Sequence, residues 1–204
     1  MSLTETIFEI GSKLGIPCVL IGGLALPAYN VGRTTLDIDI AISVRTQGEL
    51  NNFIDVLSKK GIKTLQNPKI NHDLFTIFGK NNEAEIWLKP CDAFNWDQKM
   101  IKNTFIIEKN MKVLSIEDFI LTKLARSDRS STDINDIIQV LIANTNNINW
   151  DYLYYRLNWA DVKEDFENLL NQLSLNGSSK FQDDVNKIIK EYQKSKENQN
   201  NNDN

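Results

Sequence analysis

Apolar and polar positions follow two periods along the chain, and the change of period divides it. Ile7, Ile10 and Leu14 recur at helical spacing behind Ser2-Leu-Thr-Glu5, a capping-box pattern, so a helix is predicted up to Gly15. Cys18-Val-Leu-Ile21 is a branched apolar run that predicts a buried strand. Gly22-Gly23 ends it, and Leu24 to Tyr29 reads as a short helix with Pro27 near its first turn. From Thr34 to Ser43 the alternation is strict: Leu36, Ile38, Ile40 and Ile42 fall on one face, and Asp37, Asp39, Ala41 and Ser43 on the other. A helix is expected from about Gly48 to Lys60, ended by Gly61. Strands Leu74–Phe78 and Ala84–Leu88 flank the turn signal Gly79-Lys-Asn-Asn82, and Thr104–Leu114 reads as a hairpin turning at Lys109-Asn110.

After Ser115 the pattern is helical: Ser115–Ser127, Thr132–Ala143, Asp151–Leu157, Glu164–Leu173 and Phe181–Tyr192 each carry apolar residues at helical spacing. Early strands separated by helices and later strands in succession predict an α/β (α+β) fold, a mixed sheet flanked by helices and followed by a helical C-terminal part. The expected division is residues 1–114 for the sheet-bearing core, 115–193 for the helices packed on it, and 194–204 for a disordered tail without an apolar anchor.

Composition narrows the function classes. The 204 residues are 41% hydrophobic and 25% charged, ordinary for a chain with a real core, and the formal charge of −4 excludes a polyanion partner held by net charge alone. Small basic groupings such as Lys99, Lys102, Lys109 and Lys112 remain available to guide a nucleic acid. Two cysteines, Cys18 and Cys91, suit neither a disulfide framework nor a metal-ligand spacing. No apolar run approaches the roughly 20 residues that span a bilayer, and no signal peptide is legible, so a cytoplasmic protein is expected.

Asp37 and Asp39 are the anomaly, because strand interiors are depleted in aspartate and a carboxylate taken from water is costly without compensation. Adjacent carboxylates repel, and a divalent cation such as Mg²⁺, completed by water and substrate phosphates, removes the conflict. An isolated Asp-x-Asp is more often solvated surface; Glu83 and Glu85 form a second such pair. The context shifts those odds. Upstream, Val19-Leu-Ile-Gly-Gly23 leads a strand into a diglycine whose backbone N–H groups are suited to phosphate.

Gly22-Gly-Leu-Ala-Leu-Pro-Ala-Tyr-Asn-Val-Gly-Arg-Thr-Thr-Leu-Asp-Ile-Asp39 resembles the signature of the nucleotidyltransferase superfamily, with Arg33, Thr35, Asp37 and Asp39 in the R-x-T-x-D-I-D positions. It is most similar to the small prokaryotic branch of AbiEii-type toxins and minimal nucleotidyltransferases. Leu114-Ser-Ile-Glu-Asp-Phe-Ile-Leu-Thr-Lys-Leu-Ala-Arg126 with Asp133-Ile-Asn-Asp136 resembles that family's helical segment, so the likeness covers about residues 17–142. The family's third carboxylate would fall on Glu85, a glutamate where aspartate is usual. Asp92, and more remotely Asp73, are the alternatives.

The resemblance implies an NTP-dependent, pyrophosphate-releasing transfer of a nucleoside monophosphate to an acceptor hydroxyl, with two Mg²⁺ ions held by Asp37, Asp39 and Glu85. Gly22 and Gly23 would bind the triphosphate through backbone, and Arg33, Thr35 and Lys123 would contact the nucleotide. Lys123 is also expected to be held by a charged network of Arg126, Arg129, Asp133 and Asp136. The acceptor is a tRNA end, a protein or a small molecule. The toxin of a toxin–antitoxin or phage-defence pair, with an antitoxin partner, is the implied setting. The alternative is a catalytically silent module that binds nucleotide without transfer. His72 is the only histidine and reads as structural or solvent-exposed, and Trp150, Tyr152, Tyr154, Tyr155 and Trp159 read as a packing stripe rather than a base-stacking platform. No Gly-x-x-x-x-Gly-Lys-Ser/Thr loop is present.

Overall fold

The computed structural model describes residues 2–176 and 181–202, and the chain forms two compact units. One comprises residues 1–28 and 32–115; the other comprises residues 29–31 and 116–204.

The first unit opens with α1 (Leu3–Leu14), where Ser2 and Glu5 form the capping box and Gly15 closes the helix at φ 67°. Then come β1 (Cys18–Leu20), a 3₁₀ segment (Gly23–Tyr29) containing Pro27, β2 (Asp39–Ile42), α2 (Gln47–Lys59), β3 (Lys63–Thr64), β4 (Leu74–Phe78), β5 (Glu83–Trp87), the short α3 (Gln98–Lys102), β6 (Phe105–Ile106) and β7 (Lys112–Val113). The strands make one seven-stranded mixed sheet in the order β3-β4-β5-β2-β1-β7-β6. β2 and β5 run parallel, as do β1 and β7; the other neighbours are antiparallel.

Register sorts the faces. Ile40 pairs with Leu20 and Ile86, and Ile86 with Phe75, so these side chains share one face. That face is buried, and α1 packs on β1, β5 and α2 to cover apolar surface with Ile7, Ile10, Leu50 and Phe53. On the opposite face stand two rows: Asp39, Glu85 and Thr76, then Ala41, Trp87 and Leu74. Ala41 is buried and the other five are half-buried.

The alternation from Thr34 onward promised a longer β2. The strand begins only at Asp39, and Leu36, expected in the core, is 92% exposed. Asp37 is likewise exposed and precedes the strand. The cause lies on the β1 side: β1 ends at Leu20, opposite Ile40, and the chain turns at Gly22 with φ 64°, whereas β5 already begins at Glu83, ahead of the Asp39–Glu85 pairing. The carbonyl of Ile38 still accepts from the Glu85 N–H at 2.9 Å, which is the last rung.

The second unit holds α4 (Ile116–Leu124), α5 (Ser131–Asn144), α6 (Trp150–Trp159), α7 (Lys163–Asn176) and α8 (Gln182–Asn202). α8 continues past Lys194, through the segment read from composition as a tail; residues 203–204 lie outside the described residues. Ser195 is buried, Lys196 pairs with Glu167 of α7 at 2.9 Å, and Gln199 donates to the Asp151 carbonyl at 3.3 Å. These contacts anchor the helix without a large apolar side chain. Among the described residues no helix is long and apolar enough to cross a membrane.

Candidate active site

The residues with chemistry gather where β1 ends and β2 begins. Gly22 adopts φ +64°, the left-handed region that favours glycine, and a Cβ there would stand 2.0 Å from Asp39 Oδ2. The Ile21 N–H donates to the Asp39 carbonyl at 2.9 Å, which fixes the diglycine turn against the start of β2. A Cβ on Gly23 would stand 2.8 Å from Thr35 Cγ2 and 3.5 Å from Arg33 Cζ. Gly22, Gly23, Arg33, Thr35 and Asp39 are therefore drawn together around one turn.

Asp39 pairs with Glu85 across the parallel β2–β5 ladder, so both carboxylates leave the sheet on one face. Asp37 is held differently. Its N–H donates to Thr35 Oγ1 at 3.2 Å, and the Thr35 hydroxyl donates to Asp37 Oδ2 at 3.4 Å. Among the described residues no three Asp, Glu, His or Cys side chains gather into a group that holds a metal ion. The donor set on the sheet is two carboxylates, one of them against the backbone of Gly22. That set fits a hard cation of the magnesium kind, which binds through one or two carboxylates and takes its remaining oxygens from water and substrate phosphates.

Of the alternative third carboxylates, Asp92 is half-buried beyond β5, and Asp73 makes an ion pair with Lys89 at 2.7 Å. Thr76 and Trp87, which flank Glu85 on the open face, carried no mark in the sequence. Long-range register alone brings Thr76 beside Glu85. The Trp87 indole N–H is buried and has no hydrogen-bond partner among the described residues.

Lys123, in the second unit, is buried with its ammonium 2.7 Å from Asp133 Oδ1 and 3.2 Å from Asp136 Oδ2. Asp133 is also half of the capping box with Ser130 that starts α5. Burial pushes the Asp133 carboxyl up, but hydrogen bonds from Lys123 and Ser130 outweigh it and hold the group below its ordinary value. The charged network expected around Lys123 thus contains the two aspartates. Arg126 pairs with Asp128 at 2.9 Å, and Arg129 with Asp165 at 3.3 Å.

A second buried cluster was not legible in the sequence. Arg156, 1% exposed, places Nε 2.8 Å from Asp118 Oδ1, Tyr152 donates its hydroxyl to Asp118 Oδ2 at 2.9 Å, and the guanidinium lies 4.1 Å from the Trp159 ring centroid. Within the aromatic stripe Trp150 and Tyr154 are buried, and Tyr154 meets Tyr192 with centroids 5.8 Å apart. His72 is half-buried in the loop before β4.

A mixed sheet here carries a diglycine turn against two strand-borne carboxylates, and the sequence places the chain in a nucleotidyltransferase family. Residues 1–193 match the family model described as "Nucleotidyltransferase of unknown function (DUF6036)", and the chain belongs to that family. No curated protein matches it in sequence. Similar solved structures include the antibiotic-resistance factor ANT(2″)-Ia in solution, with 14% identity, TM-score 0.48, and coverage of 80% of this chain and 94% of that one. A crystal structure of ANT(2″)-Ia in complex with adenylyl-2″-tobramycin shows 12% identity, TM-score 0.49, and coverage of 79% and 97%. An antigenic nucleotidyltransferase-like protein from Paracoccidioides brasiliensis shows 18% identity, TM-score 0.41, and coverage of 83% and 90%.

Proposed function

We propose that the chain is a Mg²⁺-dependent nucleotidyltransferase that moves a nucleoside monophosphate from an NTP to an acceptor hydroxyl. The observation that carries this reading is the pairing of Asp39 with Glu85 on one sheet face, with Asp39 against the backbone of Gly22. In the reaction the acceptor oxygen forms a bond to the α-phosphorus, the bond to the bridging oxygen breaks, and pyrophosphate leaves. Glu85 takes the acceptor's proton. Asp39 and Glu85 would hold Mg²⁺, which when bound neutralises charge on the phosphate oxygens; Asp37, expected from the resemblance as a third ligand, is tied to Thr35 ahead of β2. The N–H groups of Gly22 and Gly23 face the triphosphate, and Arg33 and Thr35 contact its oxygens. Lys123, which the resemblance marks as a nucleotide contact, holds α4 to α5 through Asp133 and Asp136.

The acceptor is a tRNA end, a protein hydroxyl or a small molecule. The sequence likeness to AbiEii-type toxins favours a role as the toxin of a toxin–antitoxin pair. A nucleotide-binding module without transfer is the second reading, favoured by the tie of Asp37 to Thr35 outside β2. Incubation with each α-labelled NTP, Mg²⁺ and tRNA, protein or small-molecule acceptors separates the two. Label transfer by the native chain that is lost in Asp39→Asn and Glu85→Gln is expected. Transfer retained in Asp39→Asn overturns the assignment, and triphosphate binding with no transfer to any acceptor supports the silent module.

A further inference from the structure

A cavity of about 460 Å³ opens in the first unit, away from the carboxylate pair, lined in part by Ser43, Arg45, Lys89, Asn95, Trp96 and Gln98. Ser43 stands four residues along the chain from Asp39, so the cavity lies about 13 Å along the strand direction from that carboxylate. It is the crevice outside the carboxyl ends of the parallel pair: Ser43 follows β2, and Lys89 follows β5. Open sheets commonly bind ligands in such crevices. The volume falls within the roughly 300–1,000 Å³ of small-molecule pockets.

Its polar groups specify a ligand. The Trp96 indole donates to the Ile42 carbonyl at 2.9 Å, which fixes the ring as a flat wall. Lys89 is neutralised by Asp73 at 2.7 Å, and Glu49, also in the lining, accepts the Arg45 backbone N–H at 2.7 Å. The Arg45 guanidinium has no partner among the described residues, so it is the cation left to meet an anion. The side-chain amides of Asn95 and Gln98 present donors and acceptors of the kind that read the edge of a heterocycle.

We propose that this cavity is a second, non-catalytic nucleotide site, taking a nucleoside monophosphate with its base against Trp96 and its phosphate on Arg45. The test titrates AMP, GMP, CMP and UMP separately into the full chain in EDTA, with tryptophan fluorescence as readout. At least one should quench saturably, and Trp96→Phe should remove that quench. Arg45→Glu should weaken binding by about tenfold, the worth of one charge-assisted hydrogen bond. Asp39→Asn should leave it unchanged. Arg45 is exposed, so its variant folds and keeps the test decisive even where Trp96→Phe does not. Three results would overturn the proposal: no saturable quench with any of the four, an unchanged affinity in Arg45→Glu, or displacement by pyrophosphate as strong as by the nucleotide. The last would leave an anion subsite only. The assay contains no acceptor, cation or triphosphate, so its outcome is independent of whether transfer occurs.

Discussion

At Gly22 the backbone and the carboxylate make the same demand. A side chain at φ +64° costs about 1–2 kcal/mol for a non-glycine residue, and a methyl there would press on Asp39 Oδ2 from 2.0 Å. Gly22→Ala is therefore expected to lower the midpoint of thermal unfolding and to displace Asp39, so that nucleotidyl transfer is lost while far-ultraviolet circular dichroism is kept. Lys123 makes the converse case, a buried cation with two anions. Lys123→Met takes the ammonium away from the buried Asp133 and Asp136, a loss of about 3–5 kcal/mol at neutral pH. The native Asp133 carboxyl is held below its ordinary value. Its contribution is thus present above the unfolded aspartate range near pH 4 and lost as pH falls through the folded value. Without Lys123 the sign reverses, because burial then favours the protonated acid. Urea unfolding at pH 7 and pH 4.5 should show the variant's deficit shrinking at the lower pH; an equal deficit at both would mean that Lys123 acts through packing alone.

The hairpin of β6 and β7 shows how local chemistry sets an element. Lys109 and Asn110 both have positive φ, 43° and 66°, and the Met111 N–H closes the turn on the Glu108 carbonyl. That is the primed turn whose twist suits paired strands, and lysine is its less suited occupant. Lys109→Asn should relieve about 1 kcal/mol of backbone cost while losing an exposed ion pair to Glu5. Chemical denaturation should show a net gain at high salt, where the pair is screened, and a smaller one at low salt. This turn was legible in the sequence because its residues are adjacent. So were α1, β1, β4 and β5, each with a complete local period and a clear stop. β3 and α3 were not, being two and five residues long and held by neighbours rather than by pattern. β2 was half legible: alternation marks which residues face together but not where the partner strands stop, so Leu36 was expected inside. The glycines and aspartates stood out as a motif. That Asp39 lies opposite Glu85 depends on a parallel pairing of segments 46 residues apart, which no local period encodes.

Chain order and unit membership part company at residues 29–31, which belong with the helices although they lie between two segments of the sheet-bearing unit. Tyr29 is fully buried, its ring 4.5 Å from that of Phe119, and the Asn144 side chain donates to the Tyr29 carbonyl at 2.6 Å. Asn30 donates to Asn144 Oδ1 at 3.2 Å. Burial, with Asp118 and Glu117 nearby, pushes the phenol well above its ordinary value, so it stays neutral across the working range. The helices are therefore completed by a piece of chain more than 80 residues upstream of α4. Tyr29→Ala should cost about 3–5 kcal/mol, the usual loss for a large buried aromatic, whereas Tyr29→Phe should cost far less because ring packing is kept. A fragment beginning at Ile116 lacks the segment altogether. It should unfold with a broad, low-slope urea transition, and adding a peptide that spans residues 24–34 should sharpen it. A fragment that unfolds as cooperatively as the intact chain, together with a Tyr29→Ala variant of unchanged midpoint, would show that the helices close their core without the borrowed residues.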